Sequence, residues 1–353
     1  MSQNQAPSMH AYVYTAPRTL RIMQVPRPTA REDGAVLRVS VASICGTDIR
    51  TFRFGNDSLV PPRTIGHEAC GVICEKGARV QGFAEGDRVF VAPAIGCGSC
   101  RSCRRGRTNM CENLRTIGFE FDGTFAQYME IPPQAFAMGN VIPVPPSVTD
   151  AEASLVEPVA CCLNGQSFLH VGPEDTACIF GAGFIGCMHA LLALKSGCAR
   201  VIMADVSRKR ISAVSPLLPR VEFLDSSRAD FVSHVRETTG DRGVDVVITA
   251  CAVGATHRTA MEISARRARI SLFGGLPGEA TGFLDSNAIH YKELSVFGSH
   301  ASTVEENRHV LGLVSGKEID IAKFVTQGYP LDRIERAFEE LKSESVLKAL
   351  ITP

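Results

Sequence analysis

The 353-residue sequence has no net charge, with 37 acidic side chains balancing 37 basic ones. That balance removes the broad positive field expected of a nucleic-acid binder or of a protein held on an anionic membrane. Also missing is any apolar run approaching the roughly 20 residues of a membrane-spanning helix. The opening MSQNQAPSMHAY lacks the basic-then-apolar layout of a secretory leader, so a reducing, cytoplasmic location is expected. There is no internal repeat and no low-complexity segment. The one concentration of positive charge, four arginines within residues 101–107, is short enough to be a solvated loop. Neither nucleic acid nor membrane is therefore expected as a partner.

Cysteine, by contrast, is abundant: there are 13, unevenly spread. In a reducing compartment clustered cysteines hold metal more often than they pair. The spacing Cys97-x2-Cys100-x2-Cys103-x7-Cys111 suits one tetrahedral ion ligated by four thiolates. An iron–sulfur cluster shares the first spacings, but its fourth cysteine stands closer and is followed by proline. Structural zinc is the prediction. Four thiolates fill the shell, so this lobe braces a loop and does no chemistry.

Chemistry needs an ion with an open position. Cys45 in SICGTD, His67 and Glu68 in TIGHEACG, and Glu157 in LVEPVACC supply thiolate, imidazole and carboxylate. Such a set makes a three-ligand catalytic zinc site with room for a substrate oxygen. Taken singly, each residue has a plainer use: Cys45 as core filler, His67 as a hydrogen-bonded loop residue.

The first 150 residues read as short strands between glycine and proline punctuation, with AVLRVSVASI (35–44) and GDRVFVAP (86–93) the clearest. Near residue 175 the texture changes to alternating strands and helices. Further strands are expected at 221–224, 244–250, 268–273 and 293–297, with helices at 228–239 and 256–267. Six strands alternating with helices predict an α/β, doubly wound parallel sheet. Two more helices follow residue 300, the second with Ile334, Ala337, Phe338 and Leu341 at helical spacing.

Gly181, Gly183 and Gly186 come directly after the first of those strands and open a helix, the context that gives G-x-G-x-x-G its physical meaning. The glycines permit a tight turn, a close backbone approach to a diphosphate, and close helix–strand packing. Asp205 ends the next strand, where a carboxylate accepts ribose hydroxyls and repels a 2′-phosphate. NAD is expected over NADP, although Arg208, Lys209 and Arg210 just downstream would offset part of that repulsion.

Together CGTD (45–48), GHE (66–68), GDRV (86–89), the four-cysteine lobe, EP (157–158), GAGFIG (181–186) and Asp205 resemble the zinc-dependent medium-chain dehydrogenases. The likeness is to the branch of sorbitol and threonine dehydrogenases, and it spans essentially the whole chain. It implies a mostly-β GroES-like catalytic domain over 1–155, with the zinc lobe at 96–112. A Rossmann domain over 156–295 and a return to the catalytic domain over 296–353 would complete it. The resemblance also implies two zinc ions per chain, Cys45 and His67 as catalytic ligands, and either Glu68 or Glu157 as the third. Thr47 would hydrogen-bond the substrate hydroxyl, and Arg210 would lie near the adenosine ribose. A homo-oligomer is implied, a tetramer before a dimer.

The activity implied is NAD-linked oxidation of a secondary alcohol, such as a polyol or cyclitol, to a ketone. An amino alcohol or phosphorylated sugar alcohol is the alternative within the fold. A non-catalytic, zinc-braced NAD-binding protein is the alternative outside it. Arg50 stands where relatives often carry a proton-relaying histidine, and a guanidinium cannot act as that base. Gly298 and Ser299 replace the Arg-Tyr pair of sorbitol dehydrogenases.

Overall fold

The computed structural model describes residues 7–276, 278, 280–344 and 346–353. Two compact units emerge. One runs to Ala160 and resumes over Ser302–Pro353, and the other is Cys161–Ala301. The breaks fall a few residues later than the expected 155/156 and 295/296, and the first lies inside the helix Val156–Ser167.

The discontinuous unit is mostly β. Its larger sheet runs, strand by strand, Val141–Pro143, Arg88–Val91, Glu68–Lys76, Ala35–Ser43, Ala349–Thr352 and Gln327–Pro330, with Tyr128–Ile131 also on Ala35–Ser43. Ala35–Ser43 is a good central strand because apolar residues occupy both its faces: Val36, Leu37 and Val39 are all buried. A second sheet pairs Thr19–Pro26, Ser8–Ala16 and Arg63–Thr64. The core of this unit includes Leu37, Ile73, Val89, Phe125 and Met129. The helix Ile334–Glu340 adds Ile334, Ala337 and Phe338 to it, as their spacing predicts.

The second unit holds six parallel strands in the order Val221–Asp225, Arg200–Asp205, Thr176–Phe180, Val244–Thr249, Ser264–Leu272 and Ser295–Gly298. This is the doubly wound order, whose direction of winding reverses between Thr176–Phe180 and Val244–Thr249. The helix Phe184–Lys195 is apolar on nearly every side and correspondingly buried.

One expected boundary is wrong. The helix predicted over 256–267 spans only Ala255–Ile263, and the strand begins at Ser264 rather than 268. Ser264 turns extended, and its hydroxyl donates to Ala260 O at 2.6 Å, satisfying a carbonyl of the last turn. Pairing with Val244–Thr249 then slips between Val244 and Val246, which takes up the intervening residues. Among the described residues no helix is long and apolar enough to cross a membrane.

Candidate active site

The strand Ala35–Ser43 delivers Cys45 to the N-cap of the helix Gly46–Phe54. Cys45 Sγ accepts the Thr47 N–H at 3.4 Å, and Asp48 Oδ2 accepts the Cys45 N–H at 2.9 Å. CGTD is thus a capping box that holds a sulfur at a helix N-terminus. His67 is placed by glycines. Gly66 takes φ +94°, and a Cβ on Gly118 or Gly123 would lie 2.5 or 2.2 Å from Gly66 O. Bare backbone at all three positions lets the 118–124 segment close over the residue before His67, bringing the Phe119 ring within 5.9 Å of the imidazole. Glu68 opens the next strand and is wholly buried.

Ligand atoms of Cys45, His67 and Glu68 all lie within 4.8 Å of one another. Glu157, buried in the first turn of Val156–Ser167, is not in that group. Glu68 Oε2 accepts hydrogen bonds from Ser43 Oγ and Lys348 Nζ, whereas Oε1 is buried with no hydrogen-bond partner among the described residues. A carboxylate oxygen without a donor is costly in that position, and a cation would satisfy it. Burial lowers the pKa of His67, but Asp48 and Cys45 outweigh it and raise the pKa well above the usual value. Asp48 Oδ1 stands 3.4 Å from Nδ1. The pocket around the imidazole is electronegative. Thiolate, imidazole and carboxylate fit a zinc ion.

Thr47 is half-buried in the first helical turn and Arg50 is exposed. Asp48 is engaged by the Cys45 N–H and faces His67. Lys348 carries no sequence signal: nothing in SESVLKAL marks a lysine that reaches a residue 280 positions away.

The four-cysteine lobe closes on itself. The sulfurs of Cys97, Cys100, Cys103 and Cys111 lie within 4.8 Å of one another, and Cys100 and Cys111 are 3.8 Å apart. Zinc–sulfur bonds of about 2.3 Å at tetrahedral angles require sulfurs about 3.8 Å apart. Backbone N–H groups point at them: Cys100 to Cys97 at 3.4 Å, Cys103 to Cys100 at 3.4 Å, and Cys97 to Cys111 at 3.2 Å. Bonds from Ser99 lower the Cys97 thiol to about 5, while burial pushes Cys103 up to about 12. The set fits one ion with a full shell.

In the second unit Gly181 takes φ +106°, and a Cβ on Gly186 would sit 1.8 Å from Gly181 O. A side chain there would force the turn open. Gly183 caps the helix with open space around it. Asp205 Oδ2 accepts the Ala182 N–H at 2.7 Å and Oδ1 the Ser207 N–H at 2.8 Å, which fixes the carboxylate between turn and following helix. Four lone-pair positions on a carboxylate leave room for ribose hydroxyls as well. Arg208 donates at 2.7 Å to Asp225, the strand neighbour of Asp205, rather than to it. The Ser227 hydroxyl and then Arg208 lower the Asp225 pKa to about 2. Arg210 is half-buried in the first turn of the helix Arg208–Val214, its N–H capped by Ser207 Oγ at 3.2 Å.

Known proteins resemble this chain over nearly its whole length. Residues 31–149 match the family described as Alcohol dehydrogenase GroES-like domain, and residues 185–316 match Zinc-binding dehydrogenase. A sorbitol dehydrogenase of Bacillus subtilis is 28% identical over 100% of this chain and 99% of its own length. An L-threonine 3-dehydrogenase of a Marinomonas species is 28% identical over 93% and 94%. A zinc-binding dehydrogenase of Sinorhizobium meliloti, solved bound to NADP, superposes with a TM-score of 0.90 at 28% identity, covering 98% of this chain and 100% of that one.

Proposed function

Because this chain belongs to the zinc-dependent medium-chain dehydrogenases, in the sorbitol- and threonine-dehydrogenase-like branch, we propose that it oxidises a secondary alcohol of a polyol or cyclitol to a ketone, with NAD as acceptor. The convergence of Cys45, His67 and Glu68, with Glu68 Oε1 unpartnered among the described residues, carries this reading. When bound, zinc supplies a Lewis acid that makes a hydroxyl more acidic, and the nicotinamide supplies the hydride acceptor. Cys45, His67 and Glu68 would hold the ion, with Glu157 the alternative to Glu68 as third ligand. Thr47 accepts a hydrogen bond from the substrate hydroxyl. Arg50, always protonated, takes no proton from it. Cys97, Cys100, Cys103 and Cys111 hold the second zinc and contribute stability only.

Gly181, Gly183 and Gly186 admit the diphosphate to the N-terminus of Phe184–Lys195, where free N–H groups and the helix dipole favour an anion. Asp205 receives the ribose hydroxyls, with Arg210 beside the adenosine. NAD is favoured because Asp205 and Asp225 set two carboxylates side by side at the strand ends, and Arg208 is already paired. A relative solved with NADP makes the choice a matter of these side chains rather than of the fold. Asp205→Ser should weaken NAD at least about tenfold, the equivalent of one charge-assisted hydrogen bond, and improve the relative kcat/KM for NADP. An unmodified protein that prefers NADP would contradict this assignment.

A screen of NAD reduction over polyols, cyclitols, sugar phosphates and amino alcohols, with zinc counted alongside, tests the reaction. Turnover confined to an amino alcohol would select the second reading, which the likeness to a threonine dehydrogenase favours. Two zincs and tight NAD binding without turnover of any alcohol would leave the non-catalytic alternative.

A further inference from the structure

Lys348 is only 4% exposed, an unusual place for an ammonium. Nζ donates to Glu68 Oε2 and, at 2.9 Å, to the carbonyl of Ile44, the residue before Cys45. The sheet brings this about. Ser43 is paired with Glu68 on one side and with Leu350 on the other, so Lys348 enters just ahead of the third strand. Ser43 Oγ also donates to Glu68 Oε2. One carboxylate oxygen therefore has two donors, and the other has none among the described residues.

We propose that Lys348 is a positioning residue for the metal site: with Ser43 it anchors Glu68 Oε2, so that Oε1 is the oxygen offered to the ion beside Cys45 and His67. The inference rests on the zinc reading above. Two effects oppose each other. An ammonium close to a dication is repulsive, and if that dominated, removing Lys348 would tighten zinc. Losing a partner that orients a ligand works the other way and typically costs about 10–100-fold in metal affinity. The double anchoring of Oε2 favours the second effect.

Lys348→Met keeps the length and removes the charge. In the full chain, chelator competition should show one of two zincs released about 10–100-fold more readily, while the zinc of the cysteine lobe stays. In a Glu68→Gln background the same substitution should change zinc affinity less than about threefold, because the anchored oxygen is gone. Unchanged or tighter zinc binding by Lys348→Met, or an equal loss in the Glu68→Gln background, overturns the proposal. Should Lys348→Met fail to fold, Ser43→Ala must weaken the same zinc several-fold, and unchanged affinity there overturns it. Normal zinc binding without alcohol turnover in the unmodified protein would count against the proposed reaction and not against this role.

Discussion

Cys45→Ser is expected to cut turnover by about 10³-fold or more while leaving the fold in place. The two halves of that expectation have separate causes. Serine is among the best N-cap residues, so the Thr47 N–H that Cys45 Sγ receives gains a hydroxyl acceptor, and Asp48 still closes the capping box. A neutral hydroxyl, however, is a far poorer zinc ligand than a thiolate. Losing Lewis-acid stabilisation worth roughly 4 kcal/mol in the transition state corresponds to about a thousandfold in rate. Steady-state kinetics, zinc content and thermal unfolding on the same preparation check it. Near-normal turnover would remove Cys45 from the catalytic set, and a collapsed fold would make it a core residue after all.

Cys103→Ser should do the reverse. Its sulfur is one of four that can surround a single ion, and the loop it belongs to has little else inside it. An incomplete thiolate shell leaves that loop unpinned, because metal binding is part of the folding free energy of such small lobes. We expect one zinc to be lost and stability to fall by about 3 kcal/mol. For units of this size that is a fall in Tm of roughly 6–12 °C. Residual enzyme that stays folded should keep its KM for the alcohol. Metal analysis that finds iron, or a single zinc in the unmodified protein, would contradict the two-ion reading.

Much of this architecture was legible because its signals are local. The glycine turn announces itself between an apolar strand and an apolar helix, and the four cysteines lie within one short loop. CGTD and GHE are each contiguous, so their chemistry could be grouped before any contact was known. Other determinants left no such mark. The crowding of Gly118 and Gly123 on Gly66 joins loops whose spacing along the chain is irregular, and a glycine in a loop looks the same whether or not backbone presses on it. Lys348 is invisible for a related reason. A single lysine before a short apolar strand reads as an exposed charge, and only strand pairing places it beside Glu68. The misplaced boundary near residue 264 shows the limit of periodicity. The apolar positions of ISARRARISL suit either state, and the neighbouring strand decides between them. Spacing does not separate Glu68 from Glu157, whereas the closeness of ligand atoms groups only Glu68 with Cys45 and His67.

The strand Ala349–Thr352 lies inside the sheet that carries the ligands, yet it is synthesised after the whole of the other unit. Ile44 and Lys348, which share a hydrogen bond, are 304 residues apart. At ribosomal speeds of ~5–20 residues per second, roughly 15–60 s separate their appearance. Throughout that interval Glu68 has no ammonium beside it, and the Ala42–Ser43 end of its neighbouring strand is paired on the Glu68 side but open on the other. The nascent chain completes its nucleotide-binding half roughly 50 residues, or about 2–10 s, before the metal-binding half receives its last strand, so the half that begins first is finished last.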